Sequence, residues 1–350
     1  MPLSFTEFTQ MLAGNPIMLV TVILTLGVVL VNGWTDAPNA IATCVSTRCM
    51  SVRGAIIMAA VMNFLGVTVM TLINSTVAQT IYNMVDFSGN AHDSIVALCA
   101  AMVAIVLWAT GAWYFGIPTS ESHALIAGLT GAAIALQGGL AGVNGHEWAK
   151  VIYGLFVSTI MGFGLGYLIV RGINYLFRHA HLQTAEKFFK YAENAAGAGM
   201  AFMHGAQDGQ KFIGVFLFGI YLSQGVTDTT TFAIPPWVMF LISIVISLGT
   251  SIGGYRIIKS VGMDMVKLRR HEGFASDLAG VISLFTASLF GLPVSTTHTK
   301  TTAIMGVGAS KRLTNVNWNV AKEMVWAWVL TFPGCGVIGY FMAKLFIAIF

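Results

Sequence analysis

Two aspartates, Asp36 and Asp208, stand in the middle of long apolar stretches. Each sits inside a polar string, Gly33-Trp34-Thr35-Asp36-Ala37-Pro38-Asn39 in one and His204-Gly205-Ala206-Gln207-Asp208-Gly209-Gln210-Lys211 in the other. Later in each half comes a second string, Gly116-Ile117-Pro118-Thr119-Ser120-Glu121-Ser122-His123 and Gly291-Leu292-Pro293-Val294-Ser295-Thr296-Thr297-His298. The separation from aspartate to hydroxyl cluster is nearly the same in both copies. A carboxylate at the centre of a bilayer costs about 2.5–3.5 kcal/mol on insertion scales, so Asp36 and Asp208 call for cations or strong donors. The carboxylate, amide and carbonyl oxygens that Asp36, Asn39, Asp208 and Gln207 supply suit a hard cation such as sodium. The bland alternative is local pairing, Asp208 with Lys211, that only holds the bundle together.

The hydroxyls point to the opposite charge. Thr119, Ser120 and Ser122 in one copy, and Ser295, Thr296 and Thr297 in the other, follow a Gly-Ile-Pro or Gly-Leu-Pro junction. Pro belongs in the first turn of a helix, where its missing N–H costs little. The hydroxyls then crowd a helix N-terminus, whose free N–H groups and positive dipole end favour an anion. One hydroxyl would serve as an ordinary N-cap, and three in each copy are more than a cap needs. One nearby lysine, Lys211, is too little charge for a dianion beside two carboxylates. An anion and cations that neutralise one another and cross together fit this set better.

Other polar residues leave alternatives open. Glu121 has Thr296 as its counterpart, and is either a proton or ion ligand or an outward-facing residue. His123 and His298 are equivalent, as packing residues or proton carriers. Asn63 and Asp277 are either structural or part of an ion path. His179 and His181 lie in a basic segment and read as solvated surface. Cys44, Cys49, Cys99 and Cys335 match no metal spacing and read as small packing residues.

The elements that must position these groups are membrane helices. The chain is 56% hydrophobic and 9% charged, with a mean hydropathy of +0.77, outside the range of soluble domains. A crossing takes about 20 apolar residues. Stretches near that length run over residues 16–47, 54–74, 94–115, 118–137 and 149–177, and again over 194–223, 235–259, 274–290, 293–309 and 320–350. The two overlong stretches carry the aspartate motifs near their centres. Gly33 and Pro38, and Gly205 and Gly209, predict broken helices there, tolerated at that depth only where backbone lines a cavity or is buried in protein.

Five segments per half is an odd number, so the second half enters from the opposite side. The expectation is an all-α polytopic membrane protein of two inverted-topology repeats of about five apolar segments each, with broken helices and helical hairpins. Residues 1–177 form the first repeat, 178–193 a cytoplasmic interfacial linker, and 194–350 the second repeat. Ala149-Lys150 with Ala321-Lys322, and Gly166-Tyr167 with Gly339-Tyr340, recur in the same order. Lys and Arg gather around Arg48 and Arg53, from Arg171 to Lys190, from Arg256 to Arg270, and at Lys311 and Arg312, while residues 75–93 and 224–234 have none. Placing the basic set inside puts both termini outside the cell membrane, with only Lys150 against the pattern. The first fifteen residues have no basic residue and no cleavage pattern, so a removable signal peptide is not expected. The net charge of +4 comes without a basic helix or aromatic platform, which argues against nucleic acid as a partner.

On these paired motifs the chain resembles the inorganic phosphate transporter family, often called PiT, over essentially its whole length. The string Gly291 to His298 is highly specific for it. The resemblance implies phosphate import coupled to sodium or protons, with no bound cofactor, no enzymatic activity and often a homodimer. It carries phosphate binding to the two Ser/Thr clusters with Asp36 and Asn39, and cation binding to Asp36, Asn39 and Asp208. Thr35 and Gln207 occupy positions where the family usually has Asn, and join the cation set on that ground. Trp34 replaces a small residue, and Asn63 stands where relatives often carry Glu. Some short members are sulfate permeases, which remains the alternative anion. A passive anion channel would need no buried aspartates, and a membrane phosphoesterase would need a nucleophile and base beside a metal motif.

Overall fold

The computed structural model describes residues 3–87, 89–115, 117, 119–225, 232–252, 258–259, 261–262 and 265–350. Among the described residues the chain is helical throughout, with one isolated antiparallel bridge, Val85 to Val143. The first half runs α1 (Phe5–Gly14), α2 (Pro16–Thr35), α3 (Pro38–Ser46), α4 (Val52–Ile73), α5 (Thr76–Tyr82), α6 (Ala91–Phe115), α7 (Glu121–Gln137) and α8 (Gly145–Leu176). The second runs α9 (Leu182–His204), a π-helical segment (Gly205–Gly209), α10 (Gln210–Ser223), α11 (Pro236–Ile252), α12 (Arg270–Leu289), α13 (Thr296–Lys311) and α14 (Trp318–Ile349).

Five helical stretches are long and apolar enough to cross a membrane: Pro16–Ser46, Val52–Ile73, Ala91–Phe115, Gly145–Leu176 and Trp318–Ile349. Two helices that fall outside that set, α7 and α13, are largely buried. Every residue of α13 from Thr296 to Ala309 is buried, including Thr296, Thr297, His298, Thr299, Lys300, Thr301 and Thr302. Such a helix cannot face hydrocarbon, where each polar group would cost several kcal/mol (~2–7) unless bonded. Instead α13 packs against α8, and α7 against α14. The covering helices α8 and α14 turn large apolar residues outward, among them Phe156, Ile160, Val329 and Phe341.

The packing pairs are exchanged in mates when first-half helices are swapped for second-half ones. α7 lies on α14 and α13 on α8; α6 lies on α14 and α12 on α8; α2 lies on α11 and α9 on α4.

The two aspartate motifs do not take the same backbone form. In the first, α2 ends at Thr35 and α3 starts at Pro38, which is the break that Gly33 and Pro38 predicted. In the second, Gly205 to Gly209 form a π turn, and the helix passes through without interruption into α10. The wider π turn changes which side chains face inward without freeing the backbone. The segment expected as a linker, 178–193, likewise runs into a longer element. Residues 182–204 are one helix, and the expected boundary between 193 and 194 falls inside it.

The hairpin before α13 turns at Gly291, whose φ of 64° lies in the left-handed region that glycine adopts without a Cβ clash. Its first-half counterpart was read from Gly116 and Pro118, which lie outside the described residues. Thr119 to Ser122, which follow it, are described. All four cysteines are buried and free.

Candidate functional site

The two hairpin helices meet the two aspartate motifs crosswise. On α13, the Thr297 hydroxyl donates to Asp36 Oδ1 of the first half. On α7, the Ser122 hydroxyl donates to Asp208 Oδ1 of the second half, at 3.3 Å. A third residue closes each group. Asn39 Nδ2 donates to Asp36 Oδ1 at 2.8 Å and to Thr297 Oγ1 at 3.1 Å. Lys211 Nζ donates to Asp208 Oδ1 at 2.8 Å and to Ser122 Oγ at 2.6 Å. The result is two triads, Asp36–Asn39–Thr297 and Asp208–Lys211–Ser122, built from matching positions of the paired sequence motifs. The local reason is helical spacing: residues three apart lie on one face, so Asn39 reaches Asp36 and Lys211 reaches Asp208.

The two triads adjoin. Ligand atoms of Asp36, His204 and Asp208 all lie within 4.8 Å of one another, and all three residues are buried. Asn32 Nδ2 crosses from α2 to Asp208 Oδ2 at 3.1 Å. His204 Nε2 stands 3.4 Å from the same oxygen, while its Nδ1 meets Asn63 Oδ1 at 3.0 Å. Asn63 in turn donates to Thr250 Oγ1 at 2.9 Å. So Asn63 acts behind Asp208, by orienting His204. Asn32 and His204 were not singled out from sequence, although each lies four residues before its aspartate and could have been found as the same helix face in both repeats.

Around the triads the hydrogen-bonding capacity is unfilled in a pattern. Among the described residues, Asp36 Oδ2, Asn39 Oδ1, Asn32 Oδ1 and both Glu121 oxygens are buried with no donor. These are acceptors, and with three carboxyls against one ammonium they suit protons or hard cations. On the hairpin side lie groups that can donate as well as accept. Thr296 Oγ1 and both His298 nitrogens are buried without partners among the described residues, beside the N-termini of α7 and α13. Ser120 and Ser295 cap those helices, accepting from His123 N at 3.3 Å and His298 N at 3.2 Å. Each cap satisfies one N–H and leaves others of the first turn available. The two histidine rings meet edge to face at 4.5 Å, with Phe332 stacked on His123 and Trp328 on His298.

Not every expected residue joins the triads. Thr35 Oγ1 donates to Val31 O of its own helix at 2.7 Å. Gln207 Nε2 holds Ser288 Oγ at 2.8 Å and Leu292 O at 3.4 Å, fixing the hairpin, while its Oε1 has no partner among the described residues. Thr119 is half-buried at the hairpin rim. Glu121, open from sequence, is 2% exposed and faces inward.

A helical bundle with buried acidic and hydroxyl groups at matched positions of two halves defines the class of a polytopic membrane transporter. The model of the phosphate transporter family matches residues 32–339, and the chain belongs to that family, whose members are transporters and not enzymes. It is 39% identical to a protein of Bacillus subtilis (strain 168) named "probable low-affinity inorganic phosphate transporter", over 93% of this chain and 96% of that one. A protein of the same name from Rhizobium meliloti (strain 1021) is 36% identical over 90% of this chain and 92% of its own length. A solved structure named "The sodium-dependent phosphate transporter" superposes with a TM-score of 0.87, at 23% identity, covering 96% of this chain and all of that one.

Proposed function

We propose that this chain imports inorganic phosphate by symport with sodium or protons, through alternating access between two repeats of inverted topology. The observation that carries the reading is the pair of crossed triads. Each aspartate is held by a hydroxyl of the opposite half, so a movement of one half against the other opens both groups together. Asp36, Asn39 and Asp208 hold the cations, with Gln207 Oε1 and Glu121 nearby. Thr296, Thr297, Ser122 and the first turns of α7 and α13 receive the oxyanion, with Ser120 and Ser295 fixing those turns. Thr35 supports the end of α2, and Thr119 borders the entry. Of the cations, sodium is the one on which the similar solved transporter is named as dependent. The basic loops set the two termini outside the cell membrane, and the mates in helix packing support the inverted pairing of 1–177 with 194–350. The protein acts as a homodimer in the bilayer.

The test is radiolabelled phosphate uptake into proteoliposomes under an inward sodium gradient, an inward proton gradient, or neither, with excess cold sulfate as competitor. Uptake that needs one gradient and ignores sulfate is the expected result. Uptake abolished by sulfate makes the protein a sulfate permease, and equal uptake under all three conditions makes it a passive pathway.

A further inference from the structure

One helical turn from the first triad lies a second buried polar group. Thr43 follows Asn39 by four residues on α3, and Lys300 follows Thr297 by three on α13. Lys300 forms an ion pair with Asp277 of α12, and its Nζ also donates to Thr43 Oγ1 at 2.9 Å. Thr43 Oγ1 reaches both Asp277 oxygens, at 2.9 and 2.8 Å. Against this pair stands Glu193 of α9. Glu193, Asp277, Lys300 and Thr43 are all fully buried. Ligand atoms of Cys44, Glu193 and Asp277 lie within 4.8 Å of one another. Among the described residues neither oxygen of Glu193 has a hydrogen-bond donor.

The charge does not close. Lys300 neutralises Asp277, and nothing in the cluster neutralises Glu193. An isolated buried carboxylate is far too costly to remain charged, so the group must hold a proton or a bound cation. A metal cation fits poorly. The Lys300 ammonium already occupies the position a cation would take, and Cys44 brings a neutral thiol where a hard ion needs oxygen. The backbone also closes on the carboxyl: a Cβ built on Gly273 would lie 2.6 Å from Glu193 Oε1, which leaves no room for a hydrated ion. The ionisable groups facing Glu193 are Cys44 on α3, Cys49 in the turn after it, Asp277 on α12 and Lys300 on α13.

We propose that Glu193 is a proton-binding carboxyl, and that it takes up and releases one proton in the transport cycle, linked to the first triad through Thr43 and Lys300. One proton adds to a Glu193 carboxylate oxygen and leaves from it, and no other bond changes. When the proton leaves, the anion is met by the Lys300 ammonium and the Thr43 hydroxyl, which must then be shared between Asp277 and Glu193. That redistribution pulls on the helices that carry Asn39 and Thr297. This role rests on the transport reading given above, and places one proton-coupled step away from the residues that hold sodium or the anion.

Infrared difference spectroscopy of the purified full-length protein between mildly acidic and mildly alkaline pH tests the site, with wild type, Glu193→Gln and Glu193→Asp. The expected result is a carboxylic acid C=O band that disappears as pH rises, is missing in Glu193→Gln and is displaced in Glu193→Asp. In proteoliposomes at fixed sodium, the ratio of phosphate uptake with and without an inward proton gradient should fall to one in Glu193→Gln. A band unchanged by either substitution, the absence of a titrating band in wild type, or a gradient response that survives in Glu193→Gln would overturn the proposal. Should Glu193→Gln fail to fold, the displacement in Glu193→Asp decides. The infrared titration needs no phosphate, so absence of uptake by the wild type would count against the transport reading while leaving Glu193 to be judged on its band.

Discussion

Asn39 and Lys211 occupy equivalent places in the two halves, each three residues beyond an aspartate and each bonded to a hydroxyl on the opposite hairpin helix. The amide of Asn39 leaves Asp36 with its charge unmet, whereas the ammonium of Lys211 closes the charge of Asp208. The two triads therefore share a geometry and differ by one positive charge. In the first the aspartate has an amide beside it, and in the second an ammonium.

Replacing Lys211 by Met removes that tethered charge and leaves Asp208 buried beside Asn32, Ser122 and His204. Breaking a buried pair from one side costs about 3–5 kcal/mol. The expected outcome is a clear drop in thermal midpoint in detergent, with partial recovery when sodium is raised. A midpoint equal to wild type would show that Lys211 does not neutralise Asp208.

Thr297→Val keeps shape and deletes the hydroxyl that Asp36 and Asn39 both use. Loss of a hydrogen bond to a charged group costs about 1.5–3 kcal/mol, which corresponds to a rise of roughly ten-fold or more in the KM for phosphate. Thr297→Ser restores the hydroxyl and should return most of it. Initial rates of uptake across a phosphate series read both, and the mate, Ser122→Ala, should behave alike if the halves are functionally equivalent.

Asn63→Leu strands His204 Nδ1 and takes one donor from Thr250 Oγ1, which keeps its own bond to Ile246 O. Each buried group left unsatisfied costs about 1–3 kcal/mol. The expected readout is a lower thermal midpoint, together with weaker cation dependence of uptake because His204 no longer holds its place beside Asp208. Unchanged cation dependence would make Asn63 a packing residue only.

Gly291→Ala puts a Cβ on a left-handed turn, at a cost of about 1–2 kcal/mol. The same Cβ would lie 2.9 Å from Thr76 Cβ. The hairpin should loosen, lowering the maximal rate of uptake more than it changes protein abundance in the membrane, as measured by uptake normalised to immunoblot.

Much of this was legible before the structure, and the reasons differ by element. Five of the ten apolar stretches are helices long and apolar enough to cross, as hydropathy alone predicts, and the break between α2 and α3 follows from Gly33 and Pro38. The second motif has glycines but no proline, so its backbone keeps a helix and widens into a π turn that no composition rule distinguishes from a break. The helix α9 hides the linker boundary because Glu193 and Asn194 are compatible with continuous helix. Helices α1 and α5 are short and lack an apolar run long enough to register. The hydroxyl clusters and aspartates were visible as motifs, yet their crosswise pairing joins residues such as Asn39 and Thr297 that are 258 positions apart, and no local pattern encodes that. Lys300 was obscured differently. It lies in a run of Thr and His that reads as a continuation of the hairpin motif, and its partner Asp277 sits in another helix.

The enclosure of α7 by α14 has a consequence for how the chain is made. α7 starts with Glu121, Ser122 and His123 and is covered by α14, a helix synthesised some 180 residues later (318 against 137). Until α14 emerges, that helix has α6 on one side but lacks its larger cover and the Phe332 stack for His123. The two ends of the chain therefore complete one another, and truncation before Trp318 should uncover α7 and lower the yield of membrane-inserted protein.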